Sequence, residues 1–490
     1  STYLVSSNCL VTRTSAAREV TNVTHDSHTM QEGDYRILDE SEFETKRNNN
    51  DDAAIEGPVE QKATLSASIF NLSNTTLGAG IVSIPYFFSN SGYVFGSVLL
   101  LIVAFLGAAA SILLVRAARE SGCWSYMDIA ERAYGTNGLV AVWATILSLT
   151  IGVMSAFFVQ LGATGAETLD SLLSSELKGS WWTEPTFIKT VFIFTILIPL
   201  GLQRDLASLS KASLLVLVFL IYLVVMVCCL GESVVGDDDD SDTVTEGDDT
   251  DDRFQAAFVG SDFFTAFPIV VLAFGNQLNV QQVVIEMENP TNARVNQVIV
   301  GTQVVVSALY LLIGLMGYWQ FTGATQDNIM ANYHGLGGQS LLLFTVARAG
   351  IVFVVLFSYP MLLFPGRACL HSMLETLLLK KDDGRATSND AGDTQSSSRL
   401  STFLWRHAFV LETMFLIGLT FVVSVAVPVL GVLMGYTGAI SGTIQAFIFP
   451  AVFHLKLVEK SKVAARGLLL IGIVFGVVSL VVEIYESITG

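Results

Sequence analysis

The chain has 490 residues, of which 52% are hydrophobic and 14% charged, and its formal net charge is −18. This composition, with a mean hydropathy of +0.57, is typical of a polytopic α-helical membrane protein. A soluble globular protein would not tolerate so many uncharged runs of about 20 residues. The acidic total also argues against a nucleic-acid partner.

Eleven membrane-spanning helices are predicted in a transmembrane domain over residues 63–487. Residues 1–62 are predicted to be a disordered cytosolic tail, because they are rich in Ser, Thr, Asn, Asp and Glu. An acidic non-cytosolic loop (231–262) and a polar cytosolic linker (380–401) interrupt the domain. The predicted spans are Ser68–Phe88, Gly92–Val115, Gly138–Gly162, Phe187–Leu202, Leu214–Leu230, Phe263–Val284, Val298–Trp319, Leu341–Pro365, Ala408–Val427, Val429–Leu455 and Gly467–Ile484.

The distribution of basic residues predicts the orientation of the chain. With these spans, 22 of the 26 Lys and Arg residues fall on one side of the membrane and three on the other. Without the long tail, the inner side still has 16 of them. Cytosolic loops carry the excess of basic residues, so the N-terminus is predicted to be cytosolic.

Span one has the apolar content of a membrane helix, but its middle is unsuited to a regular one. Two asparagines, a Ser/Thr cluster and the triplet Gly78-Ala79-Gly80 lie there. Where such a helix unwinds, backbone N–H and C=O groups lose their helical partners and become available to a ligand. Half-helix ends at mid-membrane therefore favour a site for small charged solutes and ions.

Span six is interrupted in the same way, by Phe274–Asn279. Five helices separate one interruption from the next, as expected of two five-helix repeats of opposite orientation, the arrangement of LeuT, followed here by one extra helix. The alternative is that these glycines only serve helix packing. Two interruptions in equivalent positions, with asparagines at both, favour a central site.

Four segments of this chain carry a family resemblance. They are Asn71–Pro85, Ile285–Pro290, Ser358–Pro365, and Gly438–Thr443 followed by Phe447–Ala451. Together they resemble the amino acid/auxin permease family of the APC superfamily, and above all the sodium-coupled neutral amino acid transporters and the vacuolar amino acid transporters. The segments run from span one to span ten, so the resemblance covers nearly the whole membrane domain.

The resemblance implies eleven helices, an inverted-repeat core with helices one and six discontinuous, and alternating access around one solute site. Family members move neutral or cationic amino acids and are driven by sodium or protons. This chain departs from the neutral transporters in span six, because Gly275-Asn276 stands where those proteins often have Cys-His. The resemblance therefore leaves the side-chain selectivity open.

At the first break, the resemblance implies substrate-binding residues. The backbone N–H groups of Gly78, Ala79 and Gly80 would bind the carboxylate of the substrate. A small-residue packing seam is the alternative. Thr75 and Thr76 would line the same cavity, or their hydroxyls would bond back to helix carbonyls.

At the second break, Phe274 and Asn276 would contact the α-amino group or the side chain of the substrate. The alternative for Phe274 is a lipid-facing position. Asn74 and Ser358 match family positions linked to a sodium site, and their oxygens suit a sodium ion without a charge at mid-membrane. Helix-to-helix hydrogen bonding is the alternative for both. Arg348 in span eight is either functional or extends outward to the interface.

The sequence therefore predicts a secondary active transporter of neutral amino acids that is coupled to sodium or protons and acts as a monomer in a lipid bilayer. No nucleophile–base pair, metal cluster or phosphate loop occurs, so neither an enzyme nor a cofactor is expected. The alternative is an amino acid sensor that signals through its cytosolic tail. Plasma membrane, vacuole and lysosome all remain open as the location.

Overall fold

The computed structural model describes residues 63–173, 180–203, 210–235, 255–260, 263–333, 340–383 and 394–489, and these residues are almost entirely helical. The predicted tail and most of the acidic loop lie outside the described residues. The α-helices are α1 (Leu65–Thr76), α2 (Ile84–Ser89), α3 (Tyr93–Ser121), α4 (Tyr126–Leu172), α5 (Pro185–Phe192), α6 (Ile198–Gly201), α7 (Ser210–Val235), α8 (Phe263–Ala273), α9 (Gln277–Glu286), α10 (Asn292–Phe321), α11 (Ile329–Asn332), α12 (Ser340–Asp383), α13 (Thr394–Ala426), α14 (Leu430–Thr437), α15 (Phe449–Leu457) and α16 (Lys462–Thr489).

Short segments of other helix types connect several of these helices. A 3₁₀ segment, Ala79–Ser83, leads into α2, and a π turn, Ile193–Leu197, joins α5 to α6. Two further π turns, Gly438–Gly442 and Ile444–Ile448, lie between α14 and α15. Each π turn keeps its span helical, so these connections change local packing without ending the helix.

Eight helical stretches of the described part are long and apolar enough to cross a membrane, and three shorter apolar helices accompany them. The shorter ones, Gly80–Ser89, Pro185–Gly201 and Leu215–Cys229, coincide with predicted spans one, four and five. The prediction of an all-α polytopic protein is confirmed. Helix length and composition identify eight spans among the described residues, so the count of eleven stays a prediction.

A sharp kink divides α4 near its start. Gly135 has φ 63° and ψ −149°, a left-handed conformation that glycine adopts at low cost. The kink separates the residues from Tyr126 to Tyr134 from the long membrane span that follows. A short helix therefore precedes this membrane span.

The two interrupted spans pack against a common neighbouring helix. The long helix α10 contacts α1, α2 and α3, and α3 also contacts α9. Separately, α4 packs against α12, α13 and α5. Helix α3 contacts α2, α8 and α9 and so packs against both interrupted spans, whereas α10 contacts α1 and α2, on either side of the first interruption. This arrangement positions the candidate site.

Candidate functional site

The first break follows Thr76, the last residue of α1. Leu77 caps the helix, with its N–H donating to Ser73 O at 2.8 Å, and Gly78 is extended at φ −109° and ψ −168°. In the 3₁₀ segment that follows, Ile81 N–H donates to Gly78 O at 3.2 Å. The N–H groups before this bond have no partner inside the segment, as at any helix start. The interruption predicted in span one is therefore present.

The second break lies between α8, which ends at Ala273, and α9, which begins at Gln277. Gly275 N–H donates to Leu272 O at 3.0 Å, and the carbonyl of Asn276 accepts from Val280 N–H at 3.0 Å. A partly negative helix C-terminus and a partly positive helix N-terminus thus face the same gap. The interruption predicted in span six is also present.

One side chain places the two breaks side by side. The hydroxyl oxygen of Tyr310, on α10, lies 3.3 Å from Thr76 O and 3.1 Å from Ala273 O. These are the carbonyls of the last residues of α1 and α8, which helix geometry leaves without partners. Sequence reasoning missed Tyr310, because one tyrosine in an apolar helix carries no signal of its own.

The ends of these two spans that lie farthest from the breaks are also joined through the backbone. Ala63, just before α1, forms a parallel bridge with Met287, just after α9. Ala63 N–H donates to Glu286 O, and Glu288 N–H donates to Ala63 O, both at 2.9 Å. The start of the first broken span and the end of the second are thereby fixed to each other.

The hydroxyls of the two threonines at the first break bond back to a helix carbonyl, which is the second of the two predicted alternatives. Thr75 Oγ1 donates to Leu72 O at 3.0 Å, and Thr76 Oγ1 donates to the same carbonyl at 2.6 Å. Both hydroxyls thus bond back to their own helix. Their oxygens retain lone pairs, so a role in lining the site stays a prediction.

Phe274 and Asn276 are both buried at the second break. Phe274 is 2% exposed, and its ring meets that of Tyr310 edge-to-face with centroids 5.2 Å apart. The lipid-facing alternative for Phe274 is therefore wrong. Asn276 Oδ1 accepts from Ser111 Oγ at 3.0 Å, whereas its Nδ2 has no hydrogen-bond partner among the described residues. A buried amide whose NH₂ group makes no hydrogen bond is suited to a polar ligand.

A methionine on α14 covers the first break. A Cβ atom added to Gly80 would lie 3.3 Å from Met434 Cε, and Ser83 Oγ lies 4.0 Å from Met434 Sδ. By contrast, a Cβ added to Gly78 would meet no atom within 4 Å. Met434 was not predicted from the sequence, since an isolated methionine in an apolar run is usually core.

Of the two residues predicted to bind sodium, Asn74 lies on α1 close to the first break and Ser358 lies on α12. Asn74 Oδ1 is buried without a hydrogen-bond partner among the described residues. Ser358 is half-buried on α12, a helix that packs against the segment Ala79–Ser83. The structure leaves an amide oxygen of the kind that sodium binds, and the metal site stays a prediction.

Arg348 lies outside this site and is fully buried. Its side chain is 2% exposed, its Nη2 donates to Tyr333 O at 2.8 Å, and its Nε lies 3.6 Å from Glu167 Oε2. The alternative in which Arg348 extends outward to the membrane interface is therefore wrong. In the sequence, the signal for this pairing was Glu167, an acidic residue near the end of predicted span three.

These features define a polytopic helical protein with two interrupted helices whose broken ends meet. The family model described as "Transmembrane amino acid transporter protein" matches residues 61–489. The chain belongs to this family of amino acid transporters. It is accordingly an integral membrane protein that takes a small-molecule amino acid as its substrate, and not an enzyme, as predicted.

Curated relatives agree with this assignment. Sodium-coupled neutral amino acid transporter 4 of Pongo abelii and that of Homo sapiens are each 26% identical over 482 residues, covering 86% of this chain and 84% of the relative. Solute carrier family 38 member 10 of Pongo abelii is 25% identical and covers 86% of this chain, which spans 34% of that relative. Among solved structures, MhsT in complex with L-phenylalanine is similar with a TM-score of 0.41 and 12% identity, covering 82% of this chain and 97% of MhsT.

Proposed function

We propose that this protein is a secondary active transporter of neutral amino acids that works by alternating access and is coupled to a sodium or proton gradient. The observation that supports this most is the meeting of the two helix breaks at Tyr310. Discontinuous helices in transporters place their half-helix ends at the substrate and ion sites. The substrate would lie between the two breaks.

The polarity of the broken ends suits a zwitterion. The carbonyl ends of α1 and α8 carry partial negative charge and suit an α-ammonium group. The amide ends, at Ala79–Ser83 and at α9, carry partial positive charge and suit a carboxylate. We assign the carboxylate to the N–H groups of Gly78, Ala79 and Gly80, and the polar contact at the second break to Asn276.

The neighbours of the breaks support a neutral substrate side chain. Phe274, Tyr310, Met434 and Ser111 all contact residues of the breaks, and none of them carries a charge. A cationic or anionic side chain placed there would be desolvated without a counter-charge, at a cost of several kcal/mol. A small or medium neutral side chain avoids this cost.

Coupling to a cation rests on Asn74 and Ser358. The free Oδ1 of Asn74 and carbonyls released by the first break supply the oxygen ligands that a sodium ion needs. Two relatives carry "sodium-coupled" in their names. We therefore propose sodium as the first ion to test and a proton as the second.

The rest of the architecture follows from the sequence pattern. We propose eleven spans, with two inverted five-helix repeats and one extra helix, acting as a monomer in the bilayer with the N-terminus in the cytosol. At the bridge from Ala63 to Met287, the start of span one pairs with the end of span six, so the two broken spans run in opposite directions. This supports the inverted relation of the two repeats.

Uptake into liposomes tests the proposed function. Purified protein should accumulate a labelled neutral amino acid only when a cation gradient is imposed, because the gradient supplies the free energy of accumulation. A panel of neutral, cationic and anionic amino acids, measured with sodium replaced by choline at two pH values, separates the two ions. Protein-free liposomes are the control.

Three outcomes would contradict the proposal. Equal uptake with and without any gradient indicates a facilitator. Tight binding without uptake favours the sensor. Preferential uptake of a cationic amino acid contradicts the neutral substrate that the uncharged neighbours of the breaks predict.

A further inference from the structure

The hydroxyl of Tyr310 contacts both helix breaks. We infer that Tyr310 is a positioning residue that clamps the two breaks together and thereby sets the affinity of the substrate site. The inference rests on the proposed function for its effect on transport, and on the structure alone for the clamp.

The geometry at the hydroxyl is that of one hydrogen shared by two acceptors. A tyrosine hydroxyl has a single hydrogen to donate. Its oxygen lies 3.3 Å from Thr76 O and 3.1 Å from Ala273 O, both longer than the usual 2.7–2.8 Å for such bonds. A hydrogen shared between the two carbonyl oxygens accounts for both distances, and it keeps these two oxygens close to each other.

The electrostatics explain why a donor is needed there. Two helix C-termini that approach each other bring two partial negative charges together, which repel in a medium of low dielectric constant. The hydroxyl hydrogen of Tyr310 reduces this repulsion at Thr76 O and Ala273 O. A carbonyl oxygen has two lone pairs, so the broken ends can still accept from the ammonium group of the substrate or bind a cation.

The packing of Tyr310 keeps the hydroxyl in place. The side chain is 0% exposed, and its ring meets that of Phe274 edge-to-face at 5.2 Å between centroids. Its own helix, α10, packs against α1, α2 and α3. The ring thus also fixes Phe274, which lies at the second break.

The clamp acts together with the backbone bridge at the far end of the same two spans. Ala63 and Met287 are paired there, and Tyr310 joins the breaks. With two ties, α1 is joined to α8 at the breaks and to the residue that follows α9 at the other end of the two spans. A substrate that contacts both breaks then meets a preformed site, which lowers the ordering cost of binding.

Tyr310→Phe tests the clamp, because it removes the hydroxyl and keeps the ring. The matched control is Tyr126→Phe. Tyr126 is also buried and donates to a backbone carbonyl, Gln445 O, at 2.9 Å, but its ring packs on Phe449 and Phe453, away from both breaks. Both variants lose the hydrogen bond of one buried tyrosine hydroxyl. A difference in their effects therefore comes from the position of that hydroxyl at the breaks and not from the loss of a hydrogen bond as such.

Two measurements on the full chain are combined. In hydrogen exchange on the folded protein in nanodiscs, Tyr310→Phe should speed the exchange of the hydrogen-bonded amides at the breaks, those of Leu77, Ile81, Phe274 and Gly275, by about tenfold. In liposome uptake, it should raise KM about tenfold, as expected for the loss of a donor shared by two carbonyls, and leave the maximal rate within about threefold. Tyr126→Phe should change neither KM nor the exchange at the two breaks.

The results also distinguish the clamp from the proposed function. Unchanged exchange at both breaks in Tyr310→Phe overturns the clamp, whatever the uptake. Faster exchange with unchanged KM overturns the claim that the clamp sets substrate affinity. If the wild-type protein moves no neutral amino acid, the proposed function fails, and the exchange measurement still decides whether Tyr310 holds the breaks together.

Discussion

Gly80→Leu is expected to abolish amino acid transport while leaving the protein folded in the membrane. A Cβ at this position would already lie 3.3 Å from Met434 Cε, and the rest of the leucine side chain would extend into the space in front of the break. The substrate carboxylate would then lose the N–H groups of the break. Each charge-assisted hydrogen bond is worth about 1.5–3 kcal/mol, so losing two lowers affinity about 100-fold or more.

The measurement is uptake of a labelled neutral amino acid into liposomes, corrected for the amount of folded protein. Overpacking costs about 1–3 kcal/mol of stability, and the flexible end of Met434 absorbs part of it. Gly418→Leu is the matched control, because a Cβ added to Gly418 on α13 meets no atom within 4 Å. Wild-type kinetics in Gly80→Leu would show that the first break does not bind the substrate.

Arg348→Met is expected to lower the free energy of unfolding more than Gly80→Leu does. The change keeps most of the side-chain volume but removes the guanidinium that Glu167 and the carbonyl of Tyr333 contact. Breaking a buried ion pair by removing one partner costs about 3–5 kcal/mol, because the remaining charge stays desolvated. Glu167 is 16% exposed, so the lower end of that range is expected.

Thermal unfolding in detergent, followed by intrinsic fluorescence, checks this expectation. Arg116→Met is the control, since Arg116 is exposed and donates to Ser461 Oγ at 3.4 Å. Surface substitutions of this kind usually change stability by less than about 0.5 kcal/mol. Equal melting temperatures for the two variants would mean that the buried pair contributes nothing to the fold.

The helical architecture and both interruptions were predictable from the sequence, because hydropathy and helix-weakening residues are local signals. Apolar runs mark spans by their length, and Gly78 or Gly275 inside such a run marks a weak point of the helix. The resemblance to amino acid permeases placed the substrate-binding residues at the same two points. The family is confirmed, and the binding roles stay predictions.

The neighbours of the breaks were not predictable, because they depend on packing between spans distant in the sequence. Tyr310 is one aromatic residue in an apolar run, and nothing local indicates that its hydroxyl reaches two other helices. Ser111 and Met434 are similar cases. For Phe274 and Arg348 burial excludes the lipid-facing and the outward-extending alternatives, and their functional roles stay predictions.

The central claim is that the two broken helices jointly bind the amino acid. A cryo-electron microscopy map of the protein in nanodiscs, with a saturating concentration of its best neutral substrate, tests it most directly. The account predicts substrate density with the carboxylate at the N–H groups of Gly78–Gly80 and the rest of the molecule against Phe274 and Asn276. Substrate density elsewhere in the protein, with the space between the breaks filled by side chains, would contradict it.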